Sequence, residues 1–252
     1  MCLILFAYRK HPIYKLIVAA NRDETYKRPT ASAQFWQDNP EILAGRDLEK
    51  MGTWMGITKG GRFSALTNYR DPNETTAGKR TRGELVSNAL SFPGEISDYM
   101  EALTMNDSIY PGYNLLAGNA EELYYYSNVG KALLKLEPGV YGLSNHLLGT
   151  DWPKVQRGKE GLEKLLLLGQ NDLINELFQL LSNEEQAPDE FLPDTGVPLE
   201  IERMLSPLFI KSEEYGTRCS TVLLISNNEI KFVEREYFSD GRINTQTFLL
   251  PS

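Results

Sequence analysis

Cys2-Leu3-Ile4-Leu5-Phe6-Ala7 and Leu16-Ile17-Val18-Ala19-Ala20 are two apolar runs on either side of a turn at Lys10-His11-Pro12, the second ending in Asn21-Arg22-Asp23-Glu24. They read as strands over residues 2–8 and 14–20, a β-hairpin with apolar side chains on both faces. Such a hairpin belongs in the middle of a structure, away from a solvated edge. Its first residue also carries chemistry. Methionine aminopeptidase removes an initiator Met when the next side chain is small, which would leave a thiol and a free α-amine on Cys2. The amine, with an ordinary pKa of about 7.7–8, can serve as base for a thiol of about 8.5. The competing reading is a small buried hydrophobe at a strand start.

Further along, short strands are expected at 53–58 and 63–68, joined through Lys59-Gly60-Gly61-Arg62. Thr81-Arg82-Gly83-Glu84 leads into a helix with Leu85, Val86, Ala89 and Leu90 on one face, and a second short helix covers 96–103. Strands at 113–117, 122–127, 132–136 and 140–143 alternate with turns at Gly118-Asn119, 128–130 and Pro138-Gly139. Thr150-Asp151-Trp152-Pro153 starts a helix expected to run to Leu168 and stop at Gly169, despite Gly158 and Gly161. Asn171 is expected to cap the next helix, which buries Leu173, Ile174, Leu177, Phe178 and Leu181. Residues 182–217, acidic and carrying Pro188, Pro193, Pro198 and Pro207, read as irregular, either a linker or a lid. A hairpin at 220–225 and 230–237, turning at Asn227-Asn228, and a strand at 245–250 close the chain. Strands at both ends with helices between them make the fold α+β with a largely antiparallel sheet, and 252 residues fit one large domain or two small ones.

Composition narrows the function. Lys and Arg number 26 against 34 Asp and Glu, a net charge of −8. With no basic stripe, nucleic acid is an unfavourable partner; Lys79-Arg80-Thr81-Arg82 is the only dense basic cluster and reads as a solvated loop. Two cysteines, Cys2 and Cys219, form no disulfide framework and no metal spacing, so neither metal nor cofactor is expected. No apolar stretch reaches the roughly 18 residues of a membrane span, and the N-terminus lacks the features of a signal peptide. The expected location is the cytoplasm, and the expected partner is a small-molecule substrate or ligand. The histidines, His11 in the hairpin turn and His146 after Asn145, read as structural or exposed residues, His146 being the better candidate base.

A thiol nucleophile needs a base, donors for the developing oxyanion, and a cation or dipole that favours thiolate. Asn68 and Asn145, each at the end of an expected strand, are candidate donors. Arg22, Asp23 and Arg218 are candidate charges to orient the amine and support the thiolate. Each also has a structural reading: a turn cap for the asparagines, a salt-bridged loop for Asn21-Arg22-Asp23-Glu24, an ion pair for Arg218.

These segments resemble the NRDE family, which includes the animal transport and Golgi organisation 2 proteins and takes its name from the residues found here as Asn21-Arg22-Asp23-Glu24. The resemblance continues in Ala44-Gly45-Arg46-Asp47, Gly52-Thr53-Trp54-Met55-Gly56-Ile57, Phe63 to Arg70, Thr81-Arg82-Gly83-Glu84-Leu85 and Gly112-Tyr113-Asn114-Leu115-Leu116. It extends through Tyr141-Gly142-Leu143-Ser144-Asn145, Trp152-Pro153-Lys154-Val155, Thr195-Gly196-Val197 and Tyr215-Gly216-Thr217-Arg218, so it spans nearly the whole chain and implies a single domain over residues 1–252. The same blocks are similar to the N-terminal-nucleophile hydrolases, among them choloylglycine hydrolase and penicillin V acylase. That resemblance implies a four-layer αββα sandwich of two antiparallel sheets and an amidohydrolase acting on a carbon–nitrogen bond. It nominates Cys2, Arg22, Asp23, Asn68, Asn145 and Arg218 as catalytic residues. The Arg–Asp pair is adjacent here and separated in those acylases, and the middle of the chain follows them only loosely. The animal members of the NRDE family, linked to haem movement and lipid or acyl-coenzyme A metabolism, imply an alternative: a non-catalytic haem or lipid carrier in which Cys2 ligates haem iron.

Overall fold

The computed structural model describes residues 2–167, 172–238 and 240–252. In chain order the first strands are β1 (Cys2–Tyr8), β2 (Leu16–Thr25), β3 (Thr30–Phe35), β4 (Ile42–Asp47), β5 (Met55–Thr58) and β6 (Phe63–Asn68). Helices α1 (Gly83–Ser91) and α2 (Ile96–Met105) precede β7 (Tyr113–Gly118), β8 (Leu123–Ser127), β9 (Ala132–Lys135) and β10 (Gly139–Leu143). Helices α3 (Pro153–Leu165), α4 (Leu173–Leu181) and α5 (Leu199–Leu205) then lead to β11 (Tyr215–Ile225), β12 (Glu229–Tyr237) and β13 (Ile243–Pro251). One sheet has the order β10-β1-β2-β11-β12-β13, the other β3-β4-β5-β6-β7-β8-β9, and all the pairings between named strands are antiparallel.

Strand alternation builds the layers. Ile4, Phe6 and Tyr8 of β1, with Leu16 and Val18 of β2, face Leu43, Ile57, Phe63 and Leu116 of the second sheet. Leu3, Leu5, Ala7, Ile17 and Ala19 face the other way, under Val155, Leu162, Leu177 and Phe178 of α3 and α4. Helices α1 and α2 cover the outer face of the second sheet through Leu85, Val86, Ala89 and Met100. The result is helix, sheet, sheet, helix, the expected four-layer sandwich. Gly158, a weak point for helix propensity, is where α3 touches β1: a Cβ there would lie 2.7 Å from Leu5 Cδ2. The glycine allows the approach that buries Leu5.

The hairpin is present, but β2 runs past its expected end at residue 20 to Thr25 because β11 pairs with it as far as Thr25↔Tyr215. Strands β3 and β4 were not anticipated. The segment read as irregular holds α5 and buries Ala187, Leu205, Leu208 and Ile210. The expected helix end at Leu168 and Gly169 and the Asn171 cap lie outside the described residues. No helix among the described residues is long and apolar enough to cross a membrane.

Candidate active site

Three adjacent strands bring their reactive side chains to one end of the first sheet. Cys2 is in register with Arg22, and Arg22 is in register with Cys219 on its other side. A register shift between Thr217 and Cys219 accommodates Arg218 as an extra residue. Cys2 is half-buried and opens onto a cavity of about 170 Å³ whose lining includes Arg22, Thr53, Trp54, Asn68 and Arg82. Burial raises the thiol pKa; Asp23 adds to the rise, while Arg22 and the Asp23 backbone N–H counter it. Arg22 is itself 5% exposed. Its guanidinium stacks on Trp54, 4.2 Å from the ring centroid, and donates to Thr30 Oγ1 at 3.1 Å.

The cavity walls are backbone packed on backbone. A Cβ on Gly52 would lie 2.5 Å from the carbonyl carbon of Gly83, and the Thr53 amide donates to that carbonyl at 3.1 Å. Only glycine permits this contact, which joins the Trp54 loop to the start of α1. Arg82 is fixed by donating to Gly112 O at 2.8 Å and Glu74 Oε2 at 3.0 Å, so the basic cluster read as a solvated loop is in part a wall of the site. On the rim Arg28 pairs with Asp47 at 2.6 Å.

On the opposite face of the sheet, Asn21 donates to Leu181 O at 2.9 Å and Leu208 O at 2.8 Å and accepts from Ser220 Oγ at 2.5 Å. Asp23, 1% exposed, accepts from Thr217 Oγ1 at 2.7 Å. Burial pushes the Asp23 carboxyl upward, opposed by Lys154, Thr217 and Arg22. Lys154, in the first turn of α3, is 2% exposed and its Nζ has no hydrogen-bond partner among the described residues. Burial lowers its pKa to about 8, and Asp23 is the leading charge resisting that fall. Thus Asn21-Arg22-Asp23-Glu24 is neither a loop nor one cluster: its alternate residues serve opposite faces of β2.

Of the six residues singled out in the sequence, Cys2, Arg22 and Asn68 line the cavity, and Asp23 borders it from β2 with its carboxyl held by Thr217 on the other face. Among the described residues the Asn68 side-chain amide makes no hydrogen bond; its backbone carbonyl accepts from Asn145 Nδ2 at 2.9 Å. Asn145 is fully buried behind it, and the neighbouring Ser144 hydroxyl donates to Cys2 O at 3.2 Å. Arg218 donates to the carbonyls of Thr25 at 2.9 Å and Arg28 at 3.1 Å, bracing the turn that presents Arg28. His146 lies off the cavity, its ring 5.0 Å from that of Tyr69 and its Nδ1 2.9 Å from Thr150 Oγ1. His11 Nδ1 accepts backbone amides in the hairpin turn.

Trp54, Arg82, Lys154 and Thr217 stood inside quoted blocks, yet nothing in residue type or spacing distinguished them. Glu234 was also missed. It is 2% exposed, accepts from the Ala33 amide at 2.6 Å, and burial raises its pKa to about 7. It lies against Cys219, whose thiol burial raises well above its ordinary value.

Residues 1–239 match the family described as Transport and Golgi organisation 2. The chain belongs to this family. The mouse Transport and Golgi organization 2 homolog is 37% identical over 277 aligned residues, covering 100% of each chain. The human homolog is 38% identical, with 93% of this chain and 92% of that one aligned. Among solved structures, a Caenorhabditis elegans N-acylethanolamine-hydrolyzing acid amidase ortholog superposes with a TM-score of 0.52 at 11% identity, covering 88% of this chain and 92% of its own. A single-residue variant of conjugated bile acid hydrolase from Clostridium perfringens gives 0.54 at 11% identity, over 100% and 97%. At these identities the likeness is one of fold. This Transport and Golgi organisation 2 family member therefore has the N-terminal-nucleophile hydrolase fold.

Proposed function

We propose that this protein is an N-terminal-cysteine hydrolase that cleaves the carbon–nitrogen bond of a linear or cyclic amide. The observation that carries the reading is the shared cavity of Cys2, Arg22 and Asn68, with an unengaged Asn68 amide beside a thiol. Once Met1 is removed, the Cys2 α-amine takes the thiol proton as Sγ bonds to the amide carbon. Asn68 donates to the resulting oxyanion, with Asn145 holding the Asn68 backbone in place. Collapse breaks the carbon–nitrogen bond; the leaving nitrogen takes the proton from the α-ammonium and departs as the amine. Water, deprotonated by the same α-amine, then hydrolyses the thioester and restores the thiol. Arg22 supports the thiolate, and Arg218 acts at one remove through the turn it braces.

The two solved neighbours are by name an N-acylethanolamine-hydrolyzing acid amidase and a conjugated bile acid hydrolase, so both supply precedent for hydrolysis on this fold and the first for cleaving an amide. The cavity beside Cys2, about 170 Å³, is below the roughly 300–1,000 Å³ typical of sites enclosing whole drug-sized ligands. That volume suits an amide group with its nearest substituents and disfavours a haem macrocycle seated on Cys2.

Intact mass before and after a thiol-selective alkylating reagent, with the label mapped, tests the reading alongside a panel of amides scored by amine release. The expected result is loss of Met1, pH-dependent labelling at Cys2, and turnover that Cys2→Ala reduces on the order of 10⁴-fold or more. Retained turnover in Cys2→Ala overturns the mechanism.

A further inference from the structure

Lys154 is a buried cation beside this site whose charge the scheme above leaves unused. Its Nζ makes no hydrogen bond among the described residues, although the side chain is 2% exposed. Burying an ammonium without a partner is costly, so an unpaired one beside a candidate active site calls for a reason. Trp152, Pro153 and Pro193, with Glu202, Leu205 and Ser206 of the segment containing α5, close over it. They leave a void of only about 10 Å³, near the least that holds one water. Arg70, which donates to Glu202 at 2.5 Å and stacks on Trp152 with its guanidinium 4.6 Å from the ring centroid, fastens this cover. The 182–217 segment is thus a seal over Lys154 and does not line the Cys2 cavity.

The charges facing Lys154 come from four directions: Asp23 on β2, Cys2 on β1, Arg70 beyond β6, and Glu202 on α5. Asp23 is the leading attractive one. Arg22 also faces Asp23, and Tyr215 of β11 faces Asp23, Cys2, Glu24 and Arg70. Glu202 is already held by Arg70 and by the Thr195 amide at 3.2 Å. The other carboxylate facing Lys154 is Asp23, next on β2 to the residue in register with Cys2.

We propose that Lys154 is a positioning residue for residue 2: its buried ammonium keeps Asp23 ionised and balanced, so the Cys2 α-amine remains a free base that can receive the thiol proton. The inference rests on the hydrolase reading. Without Lys154 the α-ammonium becomes the leading counterion for a buried Asp23 carboxylate, and is then held protonated. The thiolate would also lose a neighbouring positive charge. Both ionisations of residue 2 therefore move to higher pH, titrating as a coupled group.

The test is the pH dependence of Cys2 alkylation by iodoacetamide, mapped to the Cys2 peptide, in the full-length protein and in Lys154→Met, Lys154→Gln and Lys154→Arg. Thermal unfolding and intact mass are read on each. We expect folded proteins lacking Met1, with the midpoint raised by about one pH unit in Lys154→Met and Lys154→Gln and restored towards that of the unsubstituted protein in Lys154→Arg. Superimposable profiles for folded Met and Gln variants that have lost Met1 overturn the role of Lys154 alone. Retention of Met1, or an inert Cys2, in the unsubstituted protein overturns the hydrolase reading beneath it.

Discussion

The two faces of β2 at its far end treat polar groups in opposite ways. On the inner face Arg22 meets the ring of Trp54 and a hydroxyl, and across the cavity the Asn68 amide has no partner among the described residues. On the outer face Asn21 satisfies three groups from α4, β11 and the chain after α5, and Asp23 accepts from Thr217 and feels the charge of Lys154. A single strand separates a surface with open hydrogen-bonding capacity from one where polar groups knit the layers together. Substitutions on the inner face should therefore change chemistry and leave folding intact. At Asn21 on the outer face the reverse is expected.

The largest stability effect expected from that division is at Asn21. Asn21→Leu keeps the branched shape but leaves Leu181 O and Leu208 O without their donor and the Ser220 O–H without its acceptor, a loss of about 3–5 kcal/mol in denaturant unfolding. An unchanged midpoint would mean that the outer face is not what holds α4 to the sheet. Asn68→Ala is the inner-face counterpart: turnover on a responsive amide should fall by about 10²–10³ with the unfolding midpoint unmoved. A variant that unfolds while its residual activity per folded molecule stays normal would erase the distinction.

Glu234 sharpens the comparison, because it is a carboxyl on the inner face that is sealed. Its pKa in the folded protein is about 7, against 4.5 for the ordinary group. Between those values the folded protein keeps a proton that the unfolded chain has released. Its contribution is therefore fully favourable below about pH 4.5 and is lost as pH rises through 7. Glu234→Gln, which retains an acceptor for the Ala33 amide, should match the unsubstituted protein near pH 4.5 and exceed it at pH 8 by up to about 3 kcal/mol. Equal unfolding free energies at both pH values would show that Glu234 remains ionised at its site.

The hairpin, α1 and the strands from β7 to β10 were legible because their apolar spacing and turn residues agree with their tertiary surroundings. Strands β3 and β4 were not. Thr30–Phe35 carries little apolar signal, and part of its pairing is interrupted by a register shift between Ala31 and Gln34. Cys2, Arg22, Asp23 and Asn68 could be nominated through family resemblance, yet alternation alone would have separated Arg22 from Asp23 once the motif was placed inside a strand. Lys154 was opaque for a different reason. In the first turn of a helix it resembles any solvent-facing lysine, and the segment containing α5, folded back from later in the chain, helps to bury it.

The strand order has a bearing on how the molecule is made. The edge of β2 that carries Asn21 to Thr25 pairs with β11, and 194 residues separate Asp23 from Thr217. At ribosomal rates of about 5–20 residues per second, the first hairpin waits on the order of ten to forty seconds for that partner. Throughout that interval it presents an unpaired strand edge with apolar side chains on both faces, a sticky template in a crowded cell. The surroundings of Cys2 are among the last to be completed, so this edge is where the nascent chain is most open to wrong pairing.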